Sequence, residues 1–134
     1  MAITTTVRDV MTKKLVSIKT TDPTHVAIGV MAKNDMGSVI VTEDGKPVGI
    51  LTERDIMKRV CPEGRCREVT AGEVMSKPLI TIEAEAKLGE AALLMTNKDI
   101  RRLLVVEKGE IVGIATLKDI MRGTLDTFMA LASI

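Results

Sequence analysis

The chain has 134 residues, 46% hydrophobic and 28% charged, with a formal net charge of +1. That mixture is globular rather than disordered. It lacks both the basic field that draws a protein to nucleic acid and, with Phe128 its one aromatic residue, the rings on which single-stranded bases stack. No apolar run approaches the roughly 20 residues of a membrane-spanning helix, and no basic-plus-apolar leader opens the sequence. We therefore expect a soluble cytoplasmic protein without membrane or nucleic-acid partners. The absence of Gln and the presence of only two Asn is a composition that thermophiles favour.

Taken in chain order, the elements come twice. Shifted by 64 residues, positions 6–57 lie over 70–121 without a gap, and 19 of the 52 pairs are identical; chance gives roughly three or four. Thr6 with Asp9, and Thr70 with Glu73, have the Thr-x-x-acid form of a helix start and predict a short first turn. Residues 15–18 and 79–82 alternate as brief strands. Asp22 and Pro23 then start a helix with Val26, Ile28, Val30 and Met31 as its apolar set; the second copy offers Leu88, Ala91, Ala92, Leu94 and Met95. Continuous apolar strands follow at 38–41 and 103–106, of the kind buried on both faces. Tight turns around Gly45 and Gly109 lead into hairpin partners at 47–51 and 111–115. Thr52 and Thr116 open a second main helix. The order is β-α-β-β-α, twice.

This pattern predicts an α+β fold of α/β type: two repeats, 6–60 and 70–124, packed about a pseudo-twofold axis. A copy of about 60 residues buries only a marginal core alone, so the halves should depend on each other. Residues 61–69, with Pro62 and Gly64, form the linker. The tail at 125–134 keeps an apolar face (Leu125, Phe128, Met129, Leu131) and predicts an extra helix outside the repeat.

The sharpest local signals are 49–55, Gly-Ile-Leu-Thr-Glu-Arg-Asp, and 113–119, Gly-Ile-Ala-Thr-Leu-Lys-Asp. Each sets a hydroxyl at the start of a helix and a carboxylate one turn in. One reading is a helix N-cap and nothing more: Thr accepts from backbone N–H groups, and Asp suits the positive end of the dipole. The other is a ligand site, since free N–H groups at a helix start bind phosphate and a carboxylate can accept both hydroxyls of a ribose. Recurrence in both copies favours the second reading. So does the preceding Gly49 or Gly113, which allows close backbone approach.

These two motifs, in two β-α-β-β-α frames spanning about residues 6–122, resemble the tandem cystathionine-β-synthase (CBS) pair called a Bateman module. The resemblance implies adenosyl ligands (AMP, ADP, ATP or S-adenosylmethionine) in two clefts between the copies. The signature Asp would hold ribose, and Thr would reach toward phosphate. The opposite copy would supply residues between its first main helix and the next strand. Cleft one would then use Thr52, Arg54, Asp55, Ile80, Arg101 and Arg102. Cleft two would use Val16, Gly37, Ser38, Thr116, Lys118 and Asp119. Val16 and Ile80 would line the base, and the basic Arg54 and Lys118 could reach phosphates. Guanidinium groups bind phosphate bidentately, so Arg101 and Arg102 would suit cleft one to a charged nucleotide. The competing reading of that pair is a solvated surface.

Six of the nine methionines form repeat-equivalent pairs, Met11/Met75, Met31/Met95 and Met57/Met121, and the spacing predicts core filler rather than a soft-metal site. His25, the one histidine, has no ligand cluster around it and is expected at the surface. Cys61 and Cys66 cannot complete a zinc site within one chain. A disulfide between them is open to a hyperthermophile, whereas an ordinary cytoplasm keeps both reduced.

No nucleophile–base pair, metal cluster or P-loop is present, so the sequence does not describe an enzyme or call for a catalytic cofactor. The leading reading is a stand-alone adenine-nucleotide sensor that signals to an unknown protein partner. The alternative is a dimeric interaction scaffold whose clefts are vestigial or take S-adenosylmethionine. Either predicts a homodimer through the main helices and the Phe128 tail.

Overall fold

A computed structural model describes residues 5–64 and 68–133. In chain order the elements are α1 (Val7–Val10), β1 (Ser17–Lys19), α2 (Thr24–Asn34), β2 (Ser38–Glu43), β3 (Lys46–Thr52) and α3 (Glu53–Arg59). A 3-10 turn (Cys61–Glu63) follows, then α4 (Ala71–Val74), β4 (Thr81–Glu83), α5 (Leu88–Lys98), β5 (Arg102–Glu107), β6 (Glu110–Thr116) and α6 (Leu117–Ala132). The fold is mixed α/β with two three-stranded sheets, β1-β2-β3 and β4-β5-β6. In each the first pair is parallel and the second antiparallel.

The chain divides into two compact units, but not at the repeat boundaries. One unit is the continuous stretch Leu15–Leu79; the other joins Met1–Lys14 to Ile80–Ile134. Each β-α-β-β-α frame is therefore completed by the short leading turn of the other repeat. Segments 6–60 and 70–124 each contribute to both units.

In the Leu15–Leu79 unit, Val39, Val41 and Leu51 pack with Ile18, Ala27, Met31 and Ile56, and the set is closed by Val69 at the end of the linker and by Ala71 and Val74 from the start of repeat two. In the other unit, Leu103, Val105 and Ala115 pack with Leu88, Ala91, Met95 and Ile120, and Val7 of α1 closes the set at 0% exposure. The cross-strand pair Val39↔Leu51 becomes Leu103↔Ala115 in the second sheet. All four residues are buried. The larger side chain has moved to the opposite strand, so the same face stays filled without overpacking.

Local chemistry accounts for the turns. Asp44 and Gly45 have φ of 52° and 78°, and Lys108 and Gly109 have 53° and 79°. Two successive positive φ values make the tight hairpin whose twist suits the flanking strands. Asp35 and Asp99, at φ 53° and 51°, end α2 and α5 in the left-handed conformation, which Asp tolerates better than most residues.

Five expectations need correction. The first strands start later than expected, at Ser17 and Thr81. The tail is not a separate helix: α6 runs unbroken through Gly123 to Ala132. Ile28, expected on the apolar face of α2, is exposed, and Ala27 and Thr24 take buried positions. Of the methionine pairs, Met31/Met95 is buried and Met11/Met75 packs against the two cores, whereas Met57 and Met121 are 63% and 62% exposed. Repeat spacing marked them as equivalent, but the face of α3 and α6 that carries them is not the one that packs on the sheet. His25 is half-buried rather than a surface residue.

Candidate ligand site

The candidate residues gather at two helix starts, one in each unit. At the first, the Thr52 amide donates to Asp55 Oδ2 at 3.0 Å, the Thr52 hydroxyl donates to the same oxygen at 3.1 Å, and the Asp55 amide donates to Thr52 Oγ1 at 3.2 Å. At the second, the Thr116 amide donates to Asp119 Oδ2 at 2.9 Å and the Asp119 amide to Thr116 Oγ1 at 3.2 Å. Both are complete capping boxes with Asp in the role usually taken by Glu. The N-cap reading of the sequence is therefore correct for both motifs, and any ligand role is added to it.

Asp9, in the first turn of α1, repeats the pattern. Its Oδ2 accepts from the Thr6 and Thr5 amides at 3.1 and 3.2 Å, and these backbone bonds hold its carboxyl below the ordinary aspartate range. The matching start at Thr70 shows no side-chain cap.

The glycines before the motifs have a structural reason. A Cβ on Gly49 would collide with Met75 Sδ and lie 3.0 Å from the Ser76 carbonyl oxygen; one on Gly113 would meet Met11 Sδ at 2.7 Å and the Thr12 carbonyl oxygen at 2.9 Å. The close approach anticipated at these positions is made by the chain itself. Ile50 and Ser76 exchange backbone hydrogen bonds of 3.1 and 2.8 Å, and Thr12 and Ile114 exchange bonds of 2.8 and 2.9 Å.

Each unit brings its own helix–strand junction against its own motif. Ser38 pairs across the sheet with Thr52, and the Glu53 amide donates to the Gly37 carbonyl at 3.0 Å. Arg102 pairs with Thr116, and the Leu117 amide donates to the Arg101 carbonyl at 2.8 Å. Ser38 is buried, Gly37 and Arg102 are half-buried, and Arg101 is exposed. Arg54 and Lys118 are exposed, while Val16 and Ile80 are half-buried just before β1 and β4. The two residue sets expected from the sequence each draw on both units. Cys61 is exposed; Cys66 lies outside the described residues.

One feature was missed in the sequence. Ser76 donates its hydroxyl to Asp55 Oδ1 at 2.9 Å, Arg59 Nη1 stands 3.8 Å from the same oxygen, and Arg59 Nη1 also donates to the Val74 carbonyl at 2.9 Å. Asp55 is 6% exposed. The repeat alignment held part of the clue: Ser76 lies over Thr12 and Arg59 over Gly123; among the described residues no side chain donates to Asp119 Oδ1, and Asp119 is half-buried.

Two frames of this topology, each with a Thr-x-x-Asp capping box at the start of its last helix, make a duplicated small-domain pair. The model of the CBS domain family matches residues 7–61 and again 71–126, and the chain belongs to that family. A CBS domain-containing protein of Bacillus subtilis is 33% identical over 85% of this chain and 81% of its own length. An uncharacterized protein of Methanopyrus kandleri is 41% identical over 77% of this chain. This chain spans only a little over half, 56%, of that relative. A solved structure of a conserved protein from Pyrococcus horikoshii is 34% identical with a TM-score of 0.82, covering 92% of this chain and 95% of the other. Among the described residues there is no helix long and apolar enough to cross a membrane and no cluster of metal-ligating side chains.

Proposed function

We propose that this chain is a regulatory module, not an enzyme, that binds an adenine nucleotide (AMP, ADP or ATP) and passes its occupancy to a protein partner. What carries the reading is the duplicated signature, in which each Thr-x-x-Asp box presents a carboxylate beside the amino end of a helix. A carboxylate accepts two ribose hydroxyls, and the helix start favours phosphate. Arg101 and Arg102 add donors suited to phosphate oxygens. A switch of this kind needs a ligand with unequal affinity for two arrangements of the protein.

The test is calorimetric titration of the chain with AMP, ADP, ATP and S-adenosylmethionine. Saturable binding by at least one of the three nucleotides is expected, weakened at least tenfold by Arg101→Ala with Arg102→Ala if phosphate is held there. No binding at millimolar nucleotide would refute the reading.

A second reading has its own observation. Met121, Leu125, Phe128 and Met129 on α6, with Met57 on α3, are between 56% and 69% exposed. Such surface suits self-association, and a homodimeric scaffold would use it whether or not nucleotide binds. A monomer by light scattering at micromolar concentration would count against that arrangement.

A further inference from the structure

The two signature carboxylates are not equivalent acceptors. Asp55 is 6% exposed, and both of its oxygens are engaged: Oδ2 by the Thr52 amide and hydroxyl, Oδ1 by the Ser76 hydroxyl at 2.9 Å with the Arg59 guanidinium 3.8 Å away. A ribose could reach both oxygens of this buried carboxylate only in competition with the charge-assisted Ser76 bond. Arg59 is itself tied to the Val74 carbonyl, so the arrangement joins α3 to the segment that follows α4. It works as a clasp within one unit.

Asp119 has the same box on Oδ2, yet the positions that would clasp its other oxygen hold an exposed Thr12 and Gly123. Gly123 has no side chain to offer. Among the described residues no side chain donates to Asp119 Oδ1. In the same unit, Arg102 faces Thr116 across the β5–β6 ladder, so an available carboxylate, a capped hydroxyl and a guanidinium share one strand–helix junction.

Resting on the nucleotide reading above, we infer that Asp55 is a structural clasp, and that each chain takes one nucleotide, its ribose held through Asp119. The asymmetry comes from two positions at which the repeats differ, Ser76 against Thr12 and Arg59 against Gly123.

The experiment is calorimetry with AMP and with ATP on the full chain, reading stoichiometry as well as affinity. The wild type should bind one nucleotide per chain. Asp119→Ala should weaken binding at least tenfold. Asp119→Asn, which keeps an oxygen to cap α6, should do the same without unfolding the helix start. Ser76→Ala, which removes the clasp and leaves Asp119 untouched, should keep the affinity of the Asp119 site and should melt at a lower temperature than the wild type. Two nucleotides per chain, or tight binding that survives both Asp119 variants, would overturn the inference while leaving the nucleotide reading intact. Failure of the wild type to bind either nucleotide would overturn both.

Discussion

The two units meet one packing requirement with chain drawn from very different distances. In each, a short helix must lie against a β-α-β-β-α frame and seal one end of its core. For the Leu15–Leu79 unit the closing turn belongs to the same continuous stretch, and the Asp55–Ser76 bond spans 21 residues. For the other unit the closing turn is α1. Its Arg8 reaches Glu85, 77 residues away, through a 2.8 Å bond from Nε, and also pairs with Glu107. Loop closure grows only with the logarithm of loop length, so the longer reach costs only about 1 kcal/mol more. Burying Val7 fully is worth about 1.5–3 kcal/mol and outweighs it. The comparison teaches that the exchange of leading turns is cheap, and that it makes the second unit dependent on the first residues of the chain.

Removing residues 1–12 should break the symmetry most severely. It takes away Val7, the pairing of Thr12 with Ile114, and the bonds from the Val7 and Arg8 amides to the Ala86 and Ala84 carbonyls, each 2.9 Å. The loss should exceed the about 2–5 kcal/mol of a single buried Leu→Ala change. Hydrogen exchange should show it in β4, α5, β5 and β6, with β1–β3 still protected. Equal loss of protection in both sheets would contradict the division into units.

A smaller effect sharpens the contrast between the motifs. Ser76→Ala strands one oxygen of a buried carboxylate and should cost about 1–3 kcal/mol in chemical denaturation. Thr12→Ala, at the equivalent but exposed position, should stay within about 0.5 kcal/mol. Equal costs would mean that the clasp at Asp55 contributes nothing.

The smallest effect is titrational and belongs to the exchanged turn. Asp9 has its carboxyl lowered chiefly by the backbone bonds from Thr6 and Thr5. A carboxylate lowered in the folded state adds stability that is complete above its unfolded value, about 3.9. That stability is lost as pH falls through the lowered folded value. Asp9→Asn should flatten the acid limb of the stability curve slightly, since the group is exposed. An unchanged acid limb would show that these bonds do not persist in solution.

Much of this was legible in the residues. Period and turn chemistry located the strands, the hairpins at Gly45 and Gly109 and the capped helices, because each depends on contacts within a few positions. The extra helix expected after Gly123 was a misreading of local signals. A glycine in the middle of a long amphipathic helix costs only about 1 kcal/mol relative to Ala, and α6 runs through it. The exposure of Met57 and Met121 could not be seen, since equivalence between repeats says that two residues share an environment but not which one.

The sequence by itself determined a duplicated β-α-β-β-α frame and the two Thr-x-x-Asp helix starts, because hydrogen bonding over three or four residues is encoded locally. Only the tertiary structure decided which leading turn completes which core, and that Asp55 is held by a serine 21 residues away while Asp119 is not. Those outcomes depend on which side chains meet after the chain has doubled back, and spacing along the sequence carries no record of that.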